Sequence, residues 1–329
     1  MKIVIRNGTI GLHKTAQKAT EGEEVMHNII NLNQDWKFTQ KDAGLPTELP
    51  QDWQSINLPH TWNAVDGNDG NGSYDRGNYW YAKSFATPKQ PLAGGRTFVE
   101  VLAAGQQATV YVNGTEVTYH EGGYSIFRAD ITDYCKEEGE NLLVINCSNE
   151  ALTNVYPQHA DFTFYGGLYR GVNLISVPTA HFDLEYYGGP GIMVTPKVCE
   201  CCEGACFEIE TFVKNVDENF TVLYSIVDEY GEEVGYACRP ADATKTTIFV
   251  PDANLWDFDE PYLYTVVAEL QRRNETYDDI VKFRWGKAHQ TRAPLEDFRS
   301  RINEYQKTEY QQDYEEIWDK YKSNIKIDM

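Results

Sequence analysis

Residues 108–120, ATVYVNGTEVTYH, alternate apolar and polar side chains through Val110 and Val112, break at Asn113-Gly114, and resume through Val117 and Tyr119. A side-chain period of two belongs to a strand with one buried face. A two-residue hairpin turn needs positive φ at both centre positions, which Asn and Gly tolerate. The same device recurs along the chain. RTFVEVLAA and NLLVINCS read as further strands. Short runs rich in Val, Ile, Tyr and Phe are separated by Asn-Gly, Asp-Gly and Gly-Gly, and nothing between Ile30 and Val177 keeps a helical period for long. Such a chain folds as an antiparallel sandwich or jelly roll, assigned here to residues 28–178. Residues 1–27 are polar and unpatterned and are expected to form a weakly ordered leader.

A second β block spans residues 179–286. FEIETFVKN, FTVLYSIVD and YLYTVVAELQ are strand-like, and a hairpin turn is expected near Gly231. About seven such segments in roughly 110 residues predict an immunoglobulin-like sandwich. Pro178 and the run Gly188-Gly189-Pro190-Gly191 mark breaks, the run being equally readable as a bulged strand start. Residues 287–329 change character. Leu295, Phe298, Ile302 and Tyr305, then Tyr314, Ile317 and Tyr321, repeat at three- and four-residue steps, and Pro294 suits a first helical turn. One or two amphipathic helices are expected there, packed on a sandwich of the same chain or on a partner. The expected class is thus all-β, a jelly roll followed by an immunoglobulin-like sandwich, with a short helical C-terminal tail.

A chain of 329 residues suffices for two ordinary domains. The net charge of -21 argues against a nucleic-acid partner, since no basic stripe offsets it. No apolar run approaches the roughly 20 residues that cross a bilayer, and the start MKIVIRNGTIGLHK lacks a signal-like apolar region. A cytoplasmic protein without a membrane partner is the expectation. Four of the seven cysteines, Cys199, Cys201, Cys202 and Cys206, fall in CECCEGAC. As thiolates they could hold zinc, though structural zinc sites usually pair two separated knuckles. The other reading is an exposed hairpin loop of reduced thiols.

Five stretches carry a resemblance: NLNQDWKF, LPHTWNAVDG, YDRGNYWYAKSF, VYVNGTEVTYHEGGYSIFRADIT and DFTFYGGLYRGVNL. In this order they resemble the N-terminal sugar-binding jelly roll of glycoside hydrolase family 2, the β-galactosidases, β-glucuronidases and β-mannosidases. VTPKV, LWDFDEPYLYTV and the FRW at 283–285 resemble that family's immunoglobulin-like domain. Residue by residue, most of these positions read as scaffold. Trp62 covers a sandwich edge and its indole N–H needs an acceptor. Gly122 and Gly123 permit a bend that returns Tyr124 and Phe127 to the core.

The resemblance implies site residues. The family's acid before the Gly-Gly corner reaches the catalytic barrel and binds a sugar hydroxyl, and Asp161 stands at that position. A carboxylate accepts two hydroxyl hydrogen bonds directionally, although a loop acid can also simply cap a backbone amide. Arg76, in YDRGNYWY, could engage a sugar or a neighbouring acid, or form an interface salt bridge. Arg170 would hold the corner through an acid or carbonyls. No cofactor is implied for this chain, although family members use a sodium or magnesium ion near the sugar site.

Family catalysis needs two glutamates roughly 5 Å apart on a TIM barrel of about 200 residues or more. About 43 residues follow Gly286. Asn-Glu, the family's acid/base pair, occurs at 149–150, 274–275 and 303–304, positions that do not match barrel strand ends, and is read as chance. The chain is therefore expected to be a truncated homologue, inactive alone as a hydrolase, that contributes to a composite carbohydrate site. Two further readings stand beside it. One is a stand-alone carbohydrate-binding module stacking sugars on Tyr74, Tyr79, Trp80, Phe162 or Tyr165. The other is an assembly protein that forms a homo-oligomer or meets a barrel-bearing partner chain through the tail helix.

Overall fold

The computed structural model describes residues 28–39, 43–66, 70, 73–89, 94–151, 155, 163–198, 204–259 and 261–272, with the backbone of residues 3–6, 9–12 and 275–286. Within the stretch read as a leader, β1 (Ile3–Arg6) and β2 (Thr9–Leu12) pair as an antiparallel hairpin. The expected tail helix lies outside the described residues. The architecture is nearly all β.

The first sandwich opens with β3 (Asn28–Asn31), β4 (Trp36–Thr39), β5 (Gln54–Ile56) and β6 (Asn78–Ala86). It continues through β7 (Arg96–Val101), β8 (Gln107–Val112), β9 (Thr115–Glu121), β10 (Phe127–Asp130), β11 (Glu140–Ser148) and β12 (Val172–Val177). One sheet has six strands in the order β5-β4-β6-β11-β8-β9, the other four in the order β10-β7-β12-β3. Alternation decides what the core receives. Tyr79, Tyr81 and Phe85 of β6, Val110 and Val112 of β8, and Leu143, Ile145 and Cys147 of β11 join Val99, Val101, Val172 and Leu174 from the second sheet. Trp36 is fully buried among them, its indole N–H donating to the Leu32 carbonyl at 2.5 Å. Asn113 and Gly114 take φ values of 52° and 83°, as the hairpin reading required.

The four-stranded sheet buries apolar side chains on its second face as well. Phe98, Ile175 and Val177 turn away from the main core and pack with Leu184 and Ile29. That explains why β7 and β12 carry apolar side chains at both parities, Phe98 beside Val99 and Leu174 beside Ile175. One expectation needs correction. Phe127 is buried, but Tyr124 is exposed; the ring that stacks on Phe127 is His120, at 4.2 Å.

The chain leaves β12 through β13 (His181–Phe182) and a 3-10 turn at Tyr186–Gly188. A buried ion pair holds this connection. The Arg128 guanidinium meets Glu100 at 2.8 Å, their side chains 7% and 1% exposed. Arg128 Nη1 also donates to the carbonyls of Leu184 at 3.0 Å and Gly189 at 2.6 Å.

The second sandwich comprises β14 (Ile192–Val198), β15 (Gly204–Thr211), β16 (Val213–Lys214), β17 (Phe220–Val227), β18 (Glu233–Pro240), β19 (Lys245–Pro251), β20 (Leu263–Arg272) and β21 (Glu275–Gly286). Its sheets run β14-β15-β19 and β18-β17-β20-β21, with β13 paired to β16. Strict alternation buries Ala205, Phe207 and Ile209 on β15, Val222, Tyr224 and Ile226 on β17, and Val266, Ala268 and Leu270 on β20. Gly231, at φ 90°, turns the β17–β18 hairpin, and Gly191, at φ 81°, precedes β14, so the glycine run is a break before the strand. No helix among the described residues is long and apolar enough to cross a membrane.

Candidate functional site

Two connections of the first sandwich, β5–β6 and the one before β12, meet at Gly166-Gly167. The β5–β6 connection carries His60, Trp62, Asn63 and Asp66 on its first stretch and Asp75 and Arg76 on its last; the other segment precedes β12. Glycine is required at the corner by close approach. A Cβ on Gly166 would run into the Trp62 ring, and one on Gly167, where φ is 106°, would strike the Tyr81 hydroxyl. The Gly167 carbonyl accepts from Gly105 N at 3.1 Å, and the Leu168 carbonyl from His60 N at 2.9 Å.

Two buried asparagines tie the loops together. Asn63 Nδ2 and Asn149 Nδ2 both donate to the Phe164 carbonyl, each at 3.0 Å. Asn63 Oδ1 accepts from Gly166 N at 2.8 Å. Asn149 Oδ1 accepts from Gly77 N at 2.9 Å, while its Nδ2 also reaches the Asp75 carbonyl at 3.1 Å. Each side chain thus supplies a donor and an acceptor to backbone that no sheet ladder satisfies, which a buried loop requires.

The acids here hold loops. Asp66 Oδ2 accepts from Asp75 N at 2.7 Å, and the Asp66 carbonyl from Thr163 Oγ1 at 2.8 Å. Asp75 Oδ2 accepts from the Tyr79 hydroxyl at 2.7 Å. Burial, then the Asp75 bond and charge, push the Tyr79 phenol far above its ordinary range. Trp62 lies flat against Tyr79 at 4.0 Å, and its indole N–H finds the expected acceptor in the Asp75 carbonyl at 3.2 Å. His60 Nδ1 meets the Tyr81 hydroxyl at 2.8 Å, and burial lowers the His60 pKa below its ordinary value.

Asp161 and Phe162 lie outside the described residues, as do Cys199, Cys201 and Cys202. Arg76 is at the corner, its guanidinium carbon 4.5 Å from the centre of the Phe164 ring, a cation–π placement. Arg170 donates to the Tyr124 carbonyl at 3.2 Å. Of the aromatics considered for sugar stacking, Tyr74 and Tyr165 are exposed. Tyr79 is not available. It is buried, with Trp62 stacked on its ring at 4.0 Å and Phe38 packed beside it at 5.7 Å. Trp80 packs in an apolar cluster with Tyr111 on the outer face of the six-stranded sheet. Cys206 sits within β15, opposite Lys197 and Phe249, while β14 and β15 pair antiparallel across residues 199–203. Among the described residues no three His, Cys, Asp or Glu side chains gather as a metal would need.

Sequence reasoning missed Asn63, Asn149, Asp66 and Asp75. Asn149 was half of an Asn-Glu pair set aside as chance. The available signal was its place just beyond β11, an amide immediately after a run of buried side chains. Chemically the corner is a rigid mount: it fixes the backbone just after Asp161 and the loop that carries Arg76.

Two family models match the chain: "Glycosyl hydrolases family 2, sugar binding domain" over residues 65–178 and "Glycosyl hydrolases family 2" over residues 191–286. A β-galactosidase of Bacteroides ovatus is 30% identical over 75% of this chain and 30% of its own length. A β-glucuronidase of Formosa agariphila is 28% identical over 75% of this chain and 28% of its own length. The crystal structure of an FMN-binding β-glucuronidase from Facaelibacterium prausnitzii L2-6 is similar at 59% identity and a TM-score of 0.73, over 80% of this chain and 39% of that one. A Bacteroides uniformis β-glucuronidase structure gives 29% and 0.69 over 79% of this chain and 32% of that one. The chain spans about a third of the length of the relatives it matches.

Proposed function

We propose, on the premise that the chain belongs to glycosyl hydrolase family 2, that its sandwiches are the non-catalytic part of a β-glycosidase sugar site. In this reading the Gly166-Gly167 corner supplies the pocket rim, Asp161 binds a sugar hydroxyl, and Arg76 borders the same pocket. Retaining hydrolysis would require two glutamates on a TIM barrel, outside the two sandwiches. The observation that carries the reading is the double clamp on the Phe164 carbonyl by Asn63 and Asn149. It spends two buried amides on fixing the segment that follows Asp161, a large investment for a surface loop unless that loop's position matters. The names of the relatives support a β-glucuronide or β-galactoside as the substrate class, the 59%-identical structure favouring the glucuronide.

The test combines this chain with the barrel segment of that β-glucuronidase, its own two sandwiches removed. p-Nitrophenyl β-D-glucuronide and β-D-galactoside serve as substrates. The chain alone should give no turnover, and the combination should cleave the glucuronide. Asp161→Ala in the active combination should lower kcat/KM by about 10–100-fold, the worth of one hydrogen bond to a charged group at about 1.5–3 kcal/mol. Turnover by the unaided chain, or an Asp161→Ala combination as active as the parent, would refute the assignment.

A further inference from the structure

Tyr187 combines two unfavourable properties. Its backbone is left-handed, at φ 48° and ψ 31°, and its side chain is 89% exposed. The left-handed region costs a residue with a Cβ roughly 1–2 kcal/mol, and glycine occupies it freely. Exposing an aromatic ring gains nothing for the isolated fold. A glycine at this position would serve the turn better, so the tyrosine there calls for another explanation, and strained, solvent-facing residues cluster at binding sites.

The surroundings make the ring a fixed feature. Gly188, at φ 63°, is so close to the Ile126 carbonyl that a Cβ there would collide with it. Gly189 N donates to the Tyr186 carbonyl at 2.8 Å, while Arg128 grips the carbonyls of Leu184 and Gly189. Tyr186 lies flat on Phe212 of the second sandwich, 4.0 Å away with 18° between the planes, and its hydroxyl points to Met193 Sδ at 3.7 Å. Tyr187 then stands nearly perpendicular to Tyr186, 79° and 4.9 Å apart. One ring is pinned flat and the other rises beside it, giving a preformed aromatic corner open to solvent. A pre-ordered contact surface loses little entropy on binding.

We propose that Tyr186 and Tyr187 form a second carbohydrate-binding surface, separate from the Gly166-Gly167 corner, that takes a neutral oligosaccharide. The apolar C–H face of a pyranose stacks on the Tyr187 ring while phenol hydroxyls meet ring hydroxyls, the amphipathic match for which tyrosine is suited. Two tyrosines offer a few hundred Å² at most, well short of the roughly 800 Å² per partner of a stable protein interface, and near the footprint of a short sugar chain. Charge selects against uronate polymers: Glu185 adjoins the pair, Asp183 is nearby in salt bridge with Lys214 at 3.1 Å, and the chain carries a net charge of -21. The surface stands on its own geometry, so it survives or fails independently of the Asp161 reading.

The test is affinity electrophoresis of the full chain through native gels containing galactan, galactomannan, xylan or mixed-linkage β-glucan, beside gels without polysaccharide. At least one polymer should retard the parent. Tyr187→Gly should weaken that retardation at least tenfold while melting at the same temperature or higher, since glycine relieves the backbone. Tyr187→Phe should keep most of the binding. A parent that none of the four polymers retards would overturn the proposal, as would a Tyr187→Gly variant retarded like the parent. A parent that self-associates in size-exclusion chromatography, and no longer does so with Tyr187→Gly, would overturn it in favour of a protein contact.

Discussion

Replacing Arg128 with methionine keeps most of the apolar stem and removes the guanidinium. Glu100, 1% exposed, is then left charged in the interior, with Asn173 Nδ2 at 2.7 Å as a neutral partner. The Leu184 and Gly189 carbonyls lose the donor that serves both. Breaking one side of a buried pair costs about 3–5 kcal/mol, and an orphaned buried carbonyl about 1–3 kcal/mol; because all three share one donor, the losses overlap and about 4 kcal/mol is expected. That is a large share of a typical domain stability of about 5–15 kcal/mol. With a urea slope of about 3 kcal/mol/M, the midpoint of the first sandwich should fall by about 1.3 M. Tryptophan fluorescence reads this transition, since Trp36 is fully buried in that core. Glu100→Gln added to Arg128→Met should return about 2 kcal/mol by removing the stranded charge. A shift below about 1 kcal/mol for the single variant, or a double variant worse than the single, would refute the idea that the pair is a closed electrostatic unit.

Other outcomes follow from the corner and from titration. Gly166→Ala should cost about 1–3 kcal/mol or more through collision with Trp62, whereas Gly44→Ala, with nothing near its Cβ and φ 74°, should cost only about 1 kcal/mol; thermal melts compare them. Asn149→Ala should destabilise by about 2–3 kcal/mol while Glu150→Ala changes little, measured by the same melts. Burial lowers both His60 and His120 below the ordinary 6.5, so the unfolded chain takes up protons first as pH falls. Stability present above pH 6.5 is then lost as pH falls toward the folded values, and His60→Gln with His120→Gln should flatten the drop in urea midpoint between about pH 7.5 and about pH 5.5. Brief iodoacetamide treatment followed by peptide mapping should label exposed Cys238 and spare Cys147, whose thiol is fully buried and pushed far above its ordinary pKa.

The strands were legible because their side chains follow a period of two, and the turns because Asn113-Gly114 and Gly231 are residue types that accept positive φ. The order of five short motifs carried the family. The same alternation could not say which face of β6 looks inward, because Tyr79, Trp80 and Tyr81 are all aromatic; only packing against Trp36 and Phe38 decides it. Tyr124 was misplaced because a bend at Gly122-Gly123 shows that the chain turns without showing where the next ring lands. Asn63 and Asn149 escaped notice because their partners are backbone groups up to 103 residues away. Tyr187 was hidden by its neighbours: a glycine-rich run advertises a break, whereas the left-handed residue before it is a tyrosine.

The second face of the four-stranded sheet bears on where the molecule can be cut. Leu184, beyond any boundary drawn at residue 178, is one of the side chains that keep water from Phe98 and Ile175, and His181 meets Phe98 edge-on at 5.6 Å. A jelly roll expressed to Val177 alone would bare a greasy patch and strand Glu100's partner without its carbonyls. The two modules are joined by a shared seam rather than a hinge, and whoever separates them should leave residues 179–191 with the first.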